Sequence, residues 1–183
     1  MPIEVTTINL GGVNCYLLWS DQGFVLIDTG FQTQRKKLEM RLDAVGCKPG
    51  NLKLILLTHG DTDHVGNCAY LHQKYGAPTA IHKEEVSVVE TGDTGASRKP
   101  EHDKLSFIFK IMMIFTKRLA KKHPLEKFKP DLVVDEGFDL GKHGIPARVL
   151  HIPGHSKGSI GILTVSGDLF CGDMSTTCRD FVS

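Results

Sequence analysis

LILLTHGDTDHVGN, Leu54 to Asn67, sets two histidines and two aspartates within six residues, directly after an apolar run. Zinc and iron take imidazole nitrogen and carboxylate oxygen as donors, and a catalytic site keeps a position open for water. Residues two apart in an extended loop point the same way. His59, Asp61 and Asp63 can therefore converge, with His64 opening the following helix. A plainer use exists, in which the Asp-Thr-Asp run caps that helix. Two histidines are not needed to cap anything, which favours a metal. The run in front, LKLILL, is short and nearly continuous, the pattern of a strand buried on both faces. In α/β sheets, sites are generally built at the C-terminal ends of such strands.

Upstream, PIEVTTINL, NCYLLWS and FVLID are strand-like runs separated by Gly11-Gly12 and by Asp21-Gln22-Gly23, the pattern of consecutive antiparallel strands. FQTQRKKLEMRLDAVG has helical periodicity, places Leu38, Leu42 and Val45 on one face and ends at Gly46. Downstream, HVGNCAYLHQKYG reads as one helix closed by Gly76, and APTAIH as another strand. Residues 91–130 break the alternation with a glycine-rich turn, TGDTGAS, and then HDKLSFIFKIMMIFTKRLAKKH, a predicted helix stopped by Pro124. Short strands return with DLVVDEG, FDLG, IPARVLHI, SIGILTV and DLFCGD, with turns expected at Gly141–Gly144 and Ser166-Gly167-Asp168. Strands, then alternating β and α, then strands predict a layered α/β (α+β) domain over 1–183, with a sheet-on-sheet core and helices outside.

At 183 residues the chain suits one domain with a real core. Its 40% hydrophobic and 23% charged residues are those of a globular protein, and a net charge of +1 predicts neither a nucleic-acid surface nor an acidic partner. Lys117, Lys121, Lys122, Lys127 and Lys129 read as a solvated helix face. The five cysteines are odd in number and scattered, without a CxxC pair, and MPIEVTTINL has neither the basic nor the apolar region of a signal peptide. Reduced thiols in a cytoplasmic protein are the expectation. No apolar run reaches the roughly 20 residues that span a bilayer, so no membrane role is expected.

Two later stretches extend the first. HIPGHSKGSIGIL puts His155 in a Pro-Gly turn between strands, and GDLFCGDM puts Asp173 at a strand end. With VLIDTG, LTHGDTDHVGN, PGHSKGSIG and CGD in this order, nearly the whole chain resembles the metallo-β-lactamase superfamily. The resemblance implies a four-layer αββα sandwich with a metal pair in the cleft between two sheets. Carried over position by position, His59, Asp61 and His155 would bind one metal, Asp63 and His64 would help bind the second, and Asp173 would bridge them. Asp28 resembles the family's supporting aspartate, which hydrogen-bonds a ligand or its loop. Its plainer alternative is a strand-end turn residue.

Two departures from the family pattern matter. The usual motif is H-x-H-x-D-H, and Asp61 stands at its second histidine. A carboxylate there hardens the donor set, which still suits zinc, as one or two ions, and tolerates iron or manganese better. Flavodiiron-type members carry Glu at this position and hold iron. Secondly, no histidine follows His155, where the family has a further strand, a helix and a last histidine. A C-terminally truncated domain is expected, with a firm first metal, a weak second and an exposed sheet edge open to homo-oligomerisation.

The resemblance further implies a metal-borne hydroxide as nucleophile, with Asp63 both ligand and base. Cys171 reads as a small core cysteine, and His82 as a candidate to line the substrate cleft. Lys104–Leu119 is apolar on most faces and has three readings: a helical lid over an acyl substrate within an insertion at about 91–130, a core helix, or a membrane-surface helix. Three functions follow. The leading one is hydrolysis of a small ester, thioester, lactone or similar molecule, with glyoxalase II-like thioester cleavage as one case. A diiron redox protein would show iron and a visible absorption band. A truncated, non-catalytic binding protein would fold without stoichiometric metal.

Overall fold

The computed structural model describes residues 3–93 and 125–173. Three strands open the chain: β1 (Glu4–Asn9), β2 (Asn14–Ser20) and β3 (Gly23–Ile27), paired antiparallel as their turns predict. Helix α1 (Arg35–Ala44) follows and buries Leu38 and Leu42. It leads to β4 (Leu52–Leu56), which runs parallel to β3. The short helix α2 (Thr62–Val65) and α3 (Cys68–Tyr75) connect β4 to β5 (Thr79–His82), parallel again. Helix α4 (Val86–Thr91) precedes β6 (Leu132–Val134), which completes a six-stranded sheet in the order of the chain. A second sheet of three antiparallel strands holds β7 (Ala147–His151), β8 (Ile160–Thr164) and β9 (Leu169–Cys171).

Strand alternation shows how these layers stack. In β2 to β5, Cys15, Leu17, Phe24, Leu26, Leu52, Ile55 and Ile81 turn to one face, where they pack with Leu38 and Leu42 of α1, Leu71 and Tyr75 of α3 and Val89 of α4. The intervening Leu18, Val25, Ile27, Leu54, Leu56 and Ala80 turn the other way, onto Ala147, Val149, Ile160 and Ile162 of the small sheet. Strands β2 to β5 of the large sheet are thus buried on both faces, as LKLILL predicts for β4. Burying each such Leu or Ile contributes about 1.5–3 kcal/mol. The outer face of the small sheet carries exposed Arg148 and Val165. The described residues supply three of the four expected layers, helices, sheet and sheet. The expectations for a lid, for Lys104–Leu119, and for the chain after Asp173 fall largely or wholly on residues outside those described. Among the described residues no helix is long and apolar enough to cross a membrane.

The structure departs from the sequence reading at three places. The expected helix from His64 to Gly76 is two, broken at Gly66-Asn67. A Cβ at Gly66 would lie 2.7 Å from Gly30 O, and the Asn67 side chain donates to Thr29 O at 2.7 Å and Phe31 O at 2.8 Å. The helix yields so that this corner can dock on the end of β3. In FDLG only Asp139 pairs, by a single bridge to Arg148. Its carboxylate accepts Gly141 N–H at 2.8 Å and starts a 3-10 turn over Leu140–His143, which anchors Leu140 in the inter-sheet core. Within the lysine-rich stretch, Lys127 and Lys129 are exposed while Phe128 between them packs on the helix-side core.

Candidate metal centre

The parallel registers Leu26↔Ile55 and Leu56↔Ala80 bring the ends of β3, β4 and β5 to one edge of the large sheet. Asp28 follows β3, Thr58 and His59 follow β4, and His82 ends β5. The small sheet adds the β7–β8 loop with His155 and the end of β9 with Asp173. Ile160 N–H donates to Thr58 O at 2.9 Å, which ties the start of β8 to the β4 loop.

All six residues singled out as donors meet in this cleft. Asp61 Oδ2 lies 3.0 Å from His155 Nε2 and 3.6 Å from His59 Nε2. Asp173 reaches both sides, with Oδ2 3.8 Å from His155 Nε2 and Oδ1 3.4 Å from His64 Nε2. Asp63 Oδ2 is 3.8 Å from His64 Nε2. Two groups have ligand atoms within 4.8 Å of one another: His59, His155 and Asp173, and Asp63, His64 and Asp173. The His59 and His64 ring centroids are 4.1 Å apart, so the two groups adjoin. Asp61 does stand at the N-cap of α2, but its side chain makes no capping bond. The carboxylate is turned into the cleft instead.

Asp28 explains how the histidines are aimed. It is buried and takes φ +59°, the left-handed region that a short polar side chain tolerates. That bend turns the carboxylate back toward β4. Oδ1 accepts Thr58 N–H at 2.8 Å, and Oδ2 accepts the Thr58 hydroxyl and His64 Nδ1, each at 2.8 Å. A carboxylate only accepts, so His64 carries a proton on Nδ1. The Thr58 hydroxyl spends its one proton on Asp28 and must accept from His59 Nδ1, 3.0 Å away. In the neutral, metal-binding form of the two rings, one aspartate therefore sets both tautomers, directly and through a threonine, and leaves both Nε2 atoms facing the cleft. These two Nε2 atoms are buried without a hydrogen-bond partner. A buried polar atom left unpaired costs about 1–3 kcal/mol, and a cation between the carboxylates would pair both. The donor set, nitrogen and carboxylate oxygen only, fits a divalent metal such as zinc, iron or manganese.

Charge points the same way. Burial alone would lower the His64 pKa, but Asp28, Asp173 and Asp63 outweigh it and raise the value to about 11. In return His64 holds the Asp173 carboxyl below its usual range, against the opposing effect of burial. The cleft is an electrostatic well for positive charge. Gly172 lets the end of β9 close on it, because a Cβ there would lie 2.4 Å from Thr58 Oγ1 and 3.0 Å from His59 Nδ1.

Two expectations are corrected here. Cys171 is half-buried, not a core cysteine, because β9 is the edge of the small sheet among the described residues. His82 does not line the cleft. It is fully buried, accepts Glu84 N–H on Nδ1 at 3.3 Å, sits 3.2 Å from Asp135 through Nε2, and stacks on His151. The sequence reading also gave no role to Thr58, Asn67 or Glu85. Their partners are backbone atoms and side chains distant in sequence, and only the motif LTHGDTDHVGN, which spans Thr58 and Asn67, marked two of them.

The family model described as the metallo-beta-lactamase superfamily matches residues 8–182. Hydroxyacylglutathione hydrolase GloC of Haemophilus influenzae is 32% identical over 165 residues, 89% of this chain and 66% of that protein. The beta-lactamase-like protein 2 homolog of Drosophila melanogaster is 28% identical over 92% of this chain and 48% of its own length. The chain thus spans about half to two thirds of these curated relatives. Among solved structures, BJP-1, a subclass B3 metallo-beta-lactamase of Bradyrhizobium japonicum, superposes with a TM-score of 0.73 at 21% identity, covering 98% of this chain and 63% of that one. A Cronobacter sakazakii metallo-beta-lactamase with a HARLDQ motif superposes at 0.67 and 18% identity, covering 90% and 57%. At such identities the likeness is one of fold.

Proposed function

We propose that this protein is a metal-dependent hydrolase of small acyl substrates, from the premise that the chain belongs to the metallo-β-lactamase superfamily. The observation that carries the reading is the pair of orphaned nitrogens, His59 Nε2 and His64 Nε2, buried among Asp61, Asp63 and Asp173 with His155 beside them. His59, Asp61 and His155 would hold one ion, Asp63 and His64 a second, and Asp173 both. A bound divalent metal would supply a water acidified to a pKa of about 7 and polarise the carbonyl under attack. Asp63, part-exposed at the start of α2, would serve as the base for that water. Asp28 and Thr58 keep the imidazoles aimed throughout.

A thioester is the substrate class we favour, because the relative covering 89% of this chain carries the name hydroxyacylglutathione hydrolase. Fold alone would not name one. Elemental analysis of the purified protein tests the metal, and release of free thiol from a panel of acyl thioesters tests the reaction. Zinc near one or two equivalents with metal-dependent thiol release is the expected result. A folded protein that takes up no metal would overturn it, and is what a non-catalytic binding protein would show. A second reading rests on Asp61, whose carboxylate lies in the first donor group. Its hardness admits iron and redox chemistry, which stoichiometric iron with a visible absorption band would favour.

A further inference from the structure

Glu85 ends the 3-10 turn Lys83–Glu85 after β5 and is fully buried. Its two oxygens serve two different loops. Oε2 accepts Gly60 N–H at 3.0 Å, and Oε1 accepts Gly158 N–H at 2.9 Å. Gly60 lies between His59 and Asp61, while Gly158 lies three residues after His155, in the loop of the other sheet. No ion pair among the described residues includes Glu85. A buried carboxylate without a cation is a costly way to fill space, and an apolar residue of similar volume would serve the core better. A carboxylate does offer two acceptors at fixed separation, so it sets the distance between two N–H groups that no strand pairing connects. Both partners are glycines for a reason of space. A Cβ at Gly158 would lie 2.6 Å from Glu85 Cγ, and one at Gly60 would lie 3.0 Å from Glu85 Oε2 and 2.7 Å from Val88 Cγ1.

We propose that Glu85 is a positioning residue that clamps the HGD loop to the GHSKG loop, and so fixes where His155 stands relative to His59 and Asp61. The proposal rests on the reading of these three as a metal centre. The two hydrogen bonds of Glu85 go to Gly60 and Gly158, so it acts through the backbone. Besides it, the loops share the Thr58–Ile160 backbone bond at their base, and the His155–Asp61 and His155–His59 contacts at their tip. The contacts at the tip are the ones a bound cation would rearrange.

The test is a cobalt(II) titration of the full chain, reading affinity by chelator competition and geometry by the d–d absorption band. Glu85→Gln keeps the volume but turns an N–H₂ against one of the two N–H groups, which frees that loop. The expected result is a folded variant, by far-ultraviolet circular dichroism, with cobalt affinity lower by about 10–100-fold and an altered band. Gly158→Ala pushes on the same carboxylate from the other loop and should show the same signature, and it decides the matter if Glu85→Gln does not fold. Wild-type affinity and spectrum in a folded variant would overturn the proposal. So would loss of the folded state in both variants, since the glutamate would then hold up the fold and not the site. Failure of the unmodified protein to take up cobalt would instead strike at the metal centre itself.

Discussion

His64 and His82 are each buried beside a carboxylate, Asp28 in one case and Asp135 in the other, yet burial and charge balance differently around them. At His64 burial is outweighed by Asp28, Asp173 and Asp63, and the pKa rises. At His82 burial prevails and the pKa falls, against the pull of Asp135. Asp28 is itself out of solvent, whereas Asp135 is half-exposed and pairs with Lys83. The hydrogen-bonding capacity differs too. His82 uses both ring nitrogens, His151 Nε2 is 2.8 Å from Lys157 O, and the two rings lie stacked at 14°. His82, Asp135 and His151 have ligand atoms as close together as those of the cleft. Proximity of donors is common to both clusters. What separates them is buried nitrogen without a hydrogen-bond partner, set among several carboxylates and not one.

The largest effect expected from this contrast is on metal uptake. His59→Ala or His155→Ala should weaken zinc binding by well over 100-fold, beyond the range seen for supporting residues, while His82→Ala or His151→Ala should leave stoichiometry unchanged. Metal content after dialysis measures both, and an unchanged His59→Ala would remove the first donor group from the argument. Asp28→Asn comes next. Asparagine accepts the left-handed backbone, so the variant isolates the hydrogen bonds. About 10–100-fold weaker metal binding is expected, with about 1–3 kcal/mol lost from the melt because the Thr58 and His64 donors lose an acceptor. Asp61→His should move the metal profile toward zinc, and an unaltered profile would mean that Asp61 is not a ligand.

The smallest effect is on His82 itself. Its folded pKa is depressed, so as pH falls below about 6.5 the unfolded chain takes up the proton first. Stability from this group is complete above that pH and is lost below it. An NMR titration should place the His82 midpoint under 6.5, and a midpoint above it would show that Asp135, not burial, governs the ring.

The sequence makes the donors legible because a tight loop forces residues two apart to the same side, and because their neighbours, PGHSKG and CGD, carry glycines where backbones must approach. The large sheet is legible for a similar reason: an apolar run that alternates between two cores has no polar face. Glu85 is not legible, and Thr58 only as a member of the motif, without its role. A glutamate in HKEEVSVVE looks like a helix-start residue, and its partners, Gly60 and Gly158, are 25 and 73 residues away. The break at Gly66-Asn67 is hidden likewise, because the loop after β3 that splits the helix lies more than 30 residues upstream. His82 misleads in the opposite direction, since a histidine at a strand end next to the cleft has the right address and the wrong partners.

The described residues on either side of 94–124 meet beside α4. Gly92 caps α4, Phe128 N–H donates to Val89 O at 3.2 Å, Leu125 and Phe128 pack on the helix-side core, and Arg35 joins Glu126 to Asn67. The described residues that flank 94–124 are therefore fastened at one place. Closing a loop between fastened ends costs only about 0.6 kcal/mol more for each doubling of its length. A change of length between residues fastened in this way would leave the strand ends that hold the histidines as they are.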